Sequence, residues 1–273
     1  MDLVNFRVGE KYIALNILDI LVTERYQQDL TTIPTQDLSF LGVKDYVGTP
    51  TPVFDLGLIM NNQVTEEVNI RLLELLGKGE REHDEWLIAL EHSLLNNTPF
   101  VLEKSSQKCG FGIWYDNFNT DDEDLASLLK RFDDPHKRLH ELADTLVNLK
   151  NSGQLDVALK MLEKEKSVTY TPLKRLFEDA RTQITESYKP IIVYTTVDGR
   201  TPYIGLLVDS VEDSVNIMDS EIKSLSKIME TGFKLNAQTQ KMLNGIVKIN
   251  DKYSLIIDST AIFKHEDTVM QTT

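Results

Sequence analysis

The chain of 273 residues carries 29 basic and 43 acidic side chains, a net charge of −14, and 41% hydrophobic residues. At roughly 150 residues per domain this fits two globular domains, or one domain with a large insertion. No apolar run nears the roughly 20 residues of a membrane span, and the opening residues carry no signal peptide. The negative charge divides evenly between residues 64–189 and the remainder. With no basic module on either side, nucleic acid and anionic membrane are not expected partners. The single cysteine, Cys109, rules out an internal disulfide and fits a reducing cytoplasm.

Residues 2–56 read as short strands. Leu3 to Val8 and Tyr12 to Leu15 flank Gly9-Glu10-Lys11, a hairpin signal, followed by Ile20 to Val22 and Leu41 to Val43. Thr51 to Phe54 forms a further strand, which Pro50 and Pro52 put at an edge or a strand start. From about Val64 to Tyr188 the period becomes helical. Trp86, Leu87, Leu90, Leu94 and Leu95 share one face until Asn96-Asn97-Thr98-Pro99 stops the run. Asp121 to Asp124 opens a short helix, and Asp133-Asp134-Pro135 opens another with an aspartate as the expected N-cap. Leu139, Leu142, Ala143, Leu146 and Leu149 line that helix until Asn151-Ser152-Gly153. Residues 154–188 repeat the pattern, with Pro172 either kinking or restarting the helix. Strands return from Pro190. One hairpin turns at Asp198-Gly199 and another at Asn250-Asp251. Neither β flank is large enough for much of a core alone, so a helical domain inserted into a β module is the economical organisation.

The helical segment holds the cysteine and four of the five histidines. His136 and His140 are four residues apart, so a helix sets both on one face within reach of one ion. His83 precedes Trp86 by three and shares its apolar face. His92, nine residues on from His83, falls on the opposite side, and His265 lies in the C-terminal tail. Three imidazoles with the Cys109 thiolate make a donor set that suits tetrahedral Zn²⁺. Four protein ligands close the sphere, whereas a catalytic zinc keeps an open position. Motifs for other chemistry fail. Lys137 stands where a His-Glu-x-x-His protease needs glutamate, and Gly110-Phe111-Gly112 lacks the third glycine of a dinucleotide loop. No Gly-x-Ser-x-Gly elbow is present. The balance is against an enzyme.

His83-x-x-Trp86, the string Cys109-Gly-Phe-Gly-Ile-Trp114, and His136-x-x-x-His140 together resemble the chemoreceptor zinc-binding (CZB) domain. The resemblance implies an antiparallel four-helix bundle, commonly dimeric, with zinc held by His83, Cys109, His136 and His140. The β flanks resemble the CheW family of chemotaxis coupling proteins. The N-terminal flank does so through Phe6 to Leu15, Ile33-Pro34, Gly42-Val43, Gly48 and Pro52 to Leu56; the C-terminal flank through Gly205 to Val211, Asn244 to Val247 and Leu255 to Asp258. That family implies two small SH3-like β-barrels. One departure stands out: Val47 precedes Gly48 where coupling proteins usually carry arginine, so a forked, always-charged donor is missing.

The expected architecture is therefore α+β and multidomain: a split CheW-like module (1–63 and 190–273) around an inserted CZB domain (64–189). The resemblance implies a cytoplasmic, non-enzymatic signalling adaptor, homodimeric through its helical domain. Its partner would be a histidine kinase, a chemoreceptor or a diguanylate cyclase. Zinc level, or oxidation of a redox-reactive Cys109 by a species such as hypochlorous acid, would be the signal. Rival expectations are a constitutive coupling protein with a purely structural zinc and, further off, a zinc hydrolase.

Overall fold

The structure, a computed structural model, describes residues 1–120, 122–224 and 237–262. Two compact units emerge, one of Met1–Val68 with Lys189–Thr273 and one of Asn69–Tyr188.

The first unit is built on ten described strands: β1 (Asp2–Val8), β2 (Lys11–Asn16), β3 (Ile20–Arg25), β4 (Phe40–Tyr46), β5 (Thr49–Asp55), β6 (Ile191–Thr196), β7 (Pro202–Val208), β8 (Ser210–Asn216), β9 (Leu243–Ile249) and β10 (Lys252–Ile257). They form two five-stranded sheets, in the orders β8-β1-β2-β10-β9 and β3-β6-β7-β5-β4. Each sheet takes strands from both sides of the helical segment, and each is stitched across that gap by a parallel pair, β2 with β10 and β5 with β7. Parallel neighbours need a long crossover, so chain segments far apart in sequence complete each sheet together. Alternation explains the cores. Leu3, Ala14, Val247 and Ile256 gather in one sheet, and Val53, Ile192, Tyr194 and Leu207 in the other. A larger cluster, including Phe6, Ile13, Phe54, Val193 and Leu206, draws on both. Two α-helices, α1 (Leu56–Asn61) and α8 (Ala237–Met242), and three short 3-10 helices, Ile17–Asp19, Asp219–Glu221 and Ser259–Ala261, complete the described part of this unit.

Three details of this unit bear on the sequence. Of the two places expected for Pro50 and Pro52, the strand start holds and the edge does not, because β4 and β7 flank β5. Its prolines are tolerated because β7 pairs only with Val53–Asp55, leaving Pro50 and Pro52 in the half that has β4 alone. β8 was not expected. Its residues Ser210–Asn216 are largely exposed, so this edge strand shows no apolar run or buried alternation in the sequence. At the β4–β5 turn, Val47 has φ 50° and Gly48 φ 81°, with Val47 88% exposed. A β-branched side chain in the left-handed region costs about 1–2 kcal/mol, a strain concentrated at a hairpin tip.

The second unit is helical: α2 (Glu67–Leu95), α3 (Gly110–Tyr115), α4 (Glu123–Lys130), α5 (Asp133–Asn151), α6 (Leu155–Glu165) and α7 (Thr171–Ser187). Its core joins Leu76, Leu87, Leu90 and Leu94 of α2 to Leu139, Ala143 and Leu146 of α5 and to Leu173, Phe177 and Ala180 of α7. Of the two expectations for Pro172, the structure takes the restart: α7 begins at Thr171 with Pro172 in its first turn. A π turn, Lys166–Tyr170, joins α6 to α7, and the Thr171 N–H bonds the Lys166 carbonyl. Proline has no N–H for the carbonyl four residues back, and the widened turn absorbs that loss. The expected aspartate N-cap of α5 is corrected. Phe132 occupies that position without a side-chain cap, while Asp133 and Asp134 sit in the first turn, where their charge meets the positive end of the helix. Three basic groups of the α6–α7 stretch meet acids of α2: Lys166 with Glu91 at 2.9 Å, Lys174 with Asp84 at 3.0 Å and Arg181 with Glu80 at 2.7 Å. Partly exposed pairs of this kind contribute little stability each, but they select one register between the helices. Among the described residues no helix is long and apolar enough to cross a membrane.

Candidate metal centre

Three elements bring the sequence-selected donors together. His83 lies on the buried face of α2, and His136 and His140 lie one turn apart on the buried face of α5. Cys109 is the N-cap of α3, its sulfur 3.2 Å from the Gly112 N–H. The donor atoms of these four residues all lie within 4.8 Å of one another, the one such cluster among the described residues. His140 Nε2 is 3.3 Å from His83 Nε2; Cys109 Sγ is 3.3 Å from His136 Nε2 and 4.0 Å from His83 Nε2. A tetrahedron with zinc bond lengths of roughly 2.05 Å to nitrogen and 2.3 Å to sulfur has edges of about 3.3 Å (N–N) and 3.6 Å (S–N). The residues present fit that ion.

Hydrogen bonds outside the cluster set the tautomers. His83 Nδ1 faces the Gly79 carbonyl at 2.6 Å, and His140 Nδ1 faces the Glu103 carbonyl at 3.2 Å. A carbonyl only accepts, so each Nδ1 carries the proton and each Nε2 turns a bare lone pair inward. Two lone pairs 3.3 Å apart repel unless a cation lies between them, and outer partners of this kind are what orient metal-binding imidazoles. The Glu103 carbonyl also accepts from Trp86 Nε1 at 2.7 Å, so one backbone oxygen orients both rings.

Burial sets the protonation states. Desolvation first, then the neighbouring imidazoles, brings His136 down to about 3 and His140 down to about 4; desolvation lowers His83 as well. The same burial pushes the Cys109 thiol up. Burial thus favours the neutral forms of the imidazoles and of the thiol, and a positive charge among them favours the thiolate.

Several supporting residues escaped sequence reasoning. A Cβ on Gly112 would lie 1.7 Å from the Ser106 carbonyl oxygen and 3.3 Å from Cys109 Sγ, so only glycine lets the 106–112 turn carry the cysteine to its place. Phe111 packs edge-on against His83 and His136 and meets Phe132 and Phe177 behind them. A Cβ on Gly79 would come within 3.0 Å of the Phe111 ring. The Cys-x-Phe-Gly string carried this signal, but its reason lies in contacts with α2 and α7. His92 is exposed and takes no part in the cluster, and His265 lies outside the described residues. While the three imidazoles are buried, Cys109 is half-buried and sits in the wall of an open cleft of about 300 Å³ that also reaches His83 and His140.

One thiol and three imidazoles on a helical unit define a metal-site domain, here carried by a chain whose remaining strands form two mixed sheets. Comparison with known families makes this specific. Residues 83–147 match the chemoreceptor zinc-binding domain, and residues 164–267 match the CheW-like domain. The chain therefore contains a CZB domain followed by a CheW-like domain. Among solved structures, the scaffolding protein TtCheW from Thermoanaerobacter tengcongensis aligns over 98% of this chain and 96% of its own, at 13% identity and a TM-score of 0.43. No curated protein matches the chain. The CheW-like match takes in no residue before 164, although β1–β5 share both sheets with strands inside it.

Proposed function

We propose that this protein is a cytoplasmic chemotaxis-type signalling adaptor in which a zinc-binding helical domain regulates what a CheW-like module binds. Residues 1–63 and 190–273 form that module, two SH3-like barrels in the family's manner, and 64–189 form the inserted four-helix CZB domain. Strands of both flanks within each sheet support the split reading. The single observation that carries the function is the convergence of His83, Cys109, His136 and His140 at ligand spacing. The purified chain should bind about one zinc through these residues. The double variant His136→Ala/His140→Ala should lose it, and His92→Ala should keep it. Full zinc content in the double variant would overturn the assignment.

Bound zinc supplies the positive charge that keeps Cys109 a thiolate. The half-buried sulfur at an open cleft supports Cys109 as the reactive group. Its attack on hypochlorous acid passes two electrons from sulfur to chlorine, giving a sulfenic acid and chloride. A sulfenic sulfur is a poorer donor, so His83 on α2 and His136 and His140 on α5 lose their common partner. The chain crossings near residues 64 and 189 carry the change to the β module. Its partners are signalling proteins: a histidine kinase, a chemoreceptor or a diguanylate cyclase. Val47 in place of the family's arginine weakens receptor coupling, and the helical segment is the homodimer contact.

A further inference from the structure

The cleft at Cys109 has a charge of its own. Its walls carry three carboxylates, Glu82 and Glu85 from α2 and Glu103 from the 96–109 connection, against one ammonium, Lys108. Lys78 approaches Glu82 only at 3.6 Å, across an exposed i, i+4 pair. The Glu82 carboxylate lies over Gly110: a Cβ there would be 3.1 Å from Glu82 Oε2. Glycine beside the cysteine thus leaves the space that the carboxylate occupies. Independently of these acids, His83 and His140 reach this cleft at 3% and 1% exposure, with Nε2 lone pairs that no proton satisfies. A negative mouth over buried neutral donors concentrates field lines and selects by charge what travels inward.

Building on the zinc reading above, we propose that Glu82 and Glu85 form a cation-selective entrance to the tetrad: they capture a divalent ion from solvent, pass it inward, and hold anions away from Cys109. They are positioning residues for loading, not ligands of the finished site. Capture raises the association rate without changing the number of ions held. Being electrostatic, it weakens with salt. The same field makes the mouth slower for an anionic thiol reagent than for a neutral one of equal size.

Two measurements on the full-length chain test this, using Glu82→Gln/Glu85→Gln against a control that removes two distant exposed charges, Asp156→Asn/Asp179→Asn. First, zinc is mixed rapidly with the metal-free proteins and uptake is followed with a competing dye. The cleft variant should load about five-fold more slowly at low ionic strength, with a flatter salt dependence and unchanged final stoichiometry; the control should load normally. Second, metal-free protein is alkylated with iodoacetamide (neutral) or iodoacetate (anionic), each forming a sulfur–carbon bond as iodide leaves. The ratio of the two rates cancels any change in thiolate fraction. It should be raised in the native chain and fall about three-fold in the cleft variant. Cys109 is the one cysteine, so the label is unambiguous. Loading and ratio that match the native chain in the cleft variant, or that shift equally in the control, overturn the entrance. Absence of zinc uptake by the native chain overturns the metal reading instead, and the alkylation ratio still judges the entrance.

Discussion

The helical unit and the β unit solve the problem of holding a fold together in opposite ways. At the centre of the helical unit stand three buried histidines and a half-buried cysteine, ringed by Phe111, Trp86 and Phe177. Groups of that kind are costly to bury without a partner, so this unit depends on something that satisfies them. The β unit keeps apolar side chains at its centres and takes its cohesion from strand pairs that join residues nearly 250 apart, as Ser254 with Tyr12. One region gathers polar donors at its centre; the other joins strands that are far apart in sequence.

Chelation should give the largest contrast. Removing zinc from the purified protein should cost residues 69–188 about 3–4 kcal/mol, the linkage expected for metal held near a thousand times its dissociation constant. Hydrogen exchange followed peptide by peptide should accelerate there and stay constant in β1–β7. Equal acceleration in both regions would break the contrast. Smaller, and local, is the effect of a methyl group. Gly112→Ala forces a Cβ onto the Ser106 carbonyl oxygen and should cost about 3 kcal/mol together with most zinc binding. In Gly205→Ala the new Cβ meets the Ile192 side chain at 2.8 Å, which can yield, for about 1–2 kcal/mol and no loss of zinc. Denaturant melts and metal content read both. The smallest effect concerns pH. Arg138 grips Glu165 through two bonds and Thr169 adds a third, holding the Glu165 carboxyl below the ordinary range. A depressed carboxyl contributes stability above about pH 4.5 that is lost on further acidification. Glu165→Gln should therefore cost about 1 kcal/mol at pH 6, with the exposed Arg138 limiting the figure, and the deficit should shrink towards pH 3. A constant difference across that range would show that the charge is not what Glu165 contributes.

Much of the metal centre was legible because its logic is partly local. An i, i+4 pair on one helix face and a histidine three residues before a tryptophan are statements about turn geometry; they selected three of the four residues that the fold brings together, and the fourth is the single cysteine. Short apolar runs and turn signals likewise exposed nine of the ten described strands, and β8 escaped because its largely exposed residues form no such run. Pro172 marked a disturbance, but its form as a π turn depended on whether the surrounding helices held the chain in line. The N-cap of α5 fell on Phe132 rather than an aspartate because burying that ring against Phe111 and Phe177 outweighs one side-chain hydrogen bond.

By itself, the sequence determined the change of period near residues 64 and 189, the helix faces and the hairpin turns, and it singled out four candidate donors. These follow from dihedral preferences and side-chain chemistry that act within a few residues. Tertiary structure decided everything that required distant segments to meet. It set β2 against β10 and β5 against β7, gave the Glu103 carbonyl to both Trp86 and His140, and placed three carboxylates around the mouth above Cys109. Spacing along a chain carries no information about which distant backbone oxygen or side chain a donor will face, because that is fixed only when the packed elements leave one arrangement that fills the core and satisfies the buried polar groups.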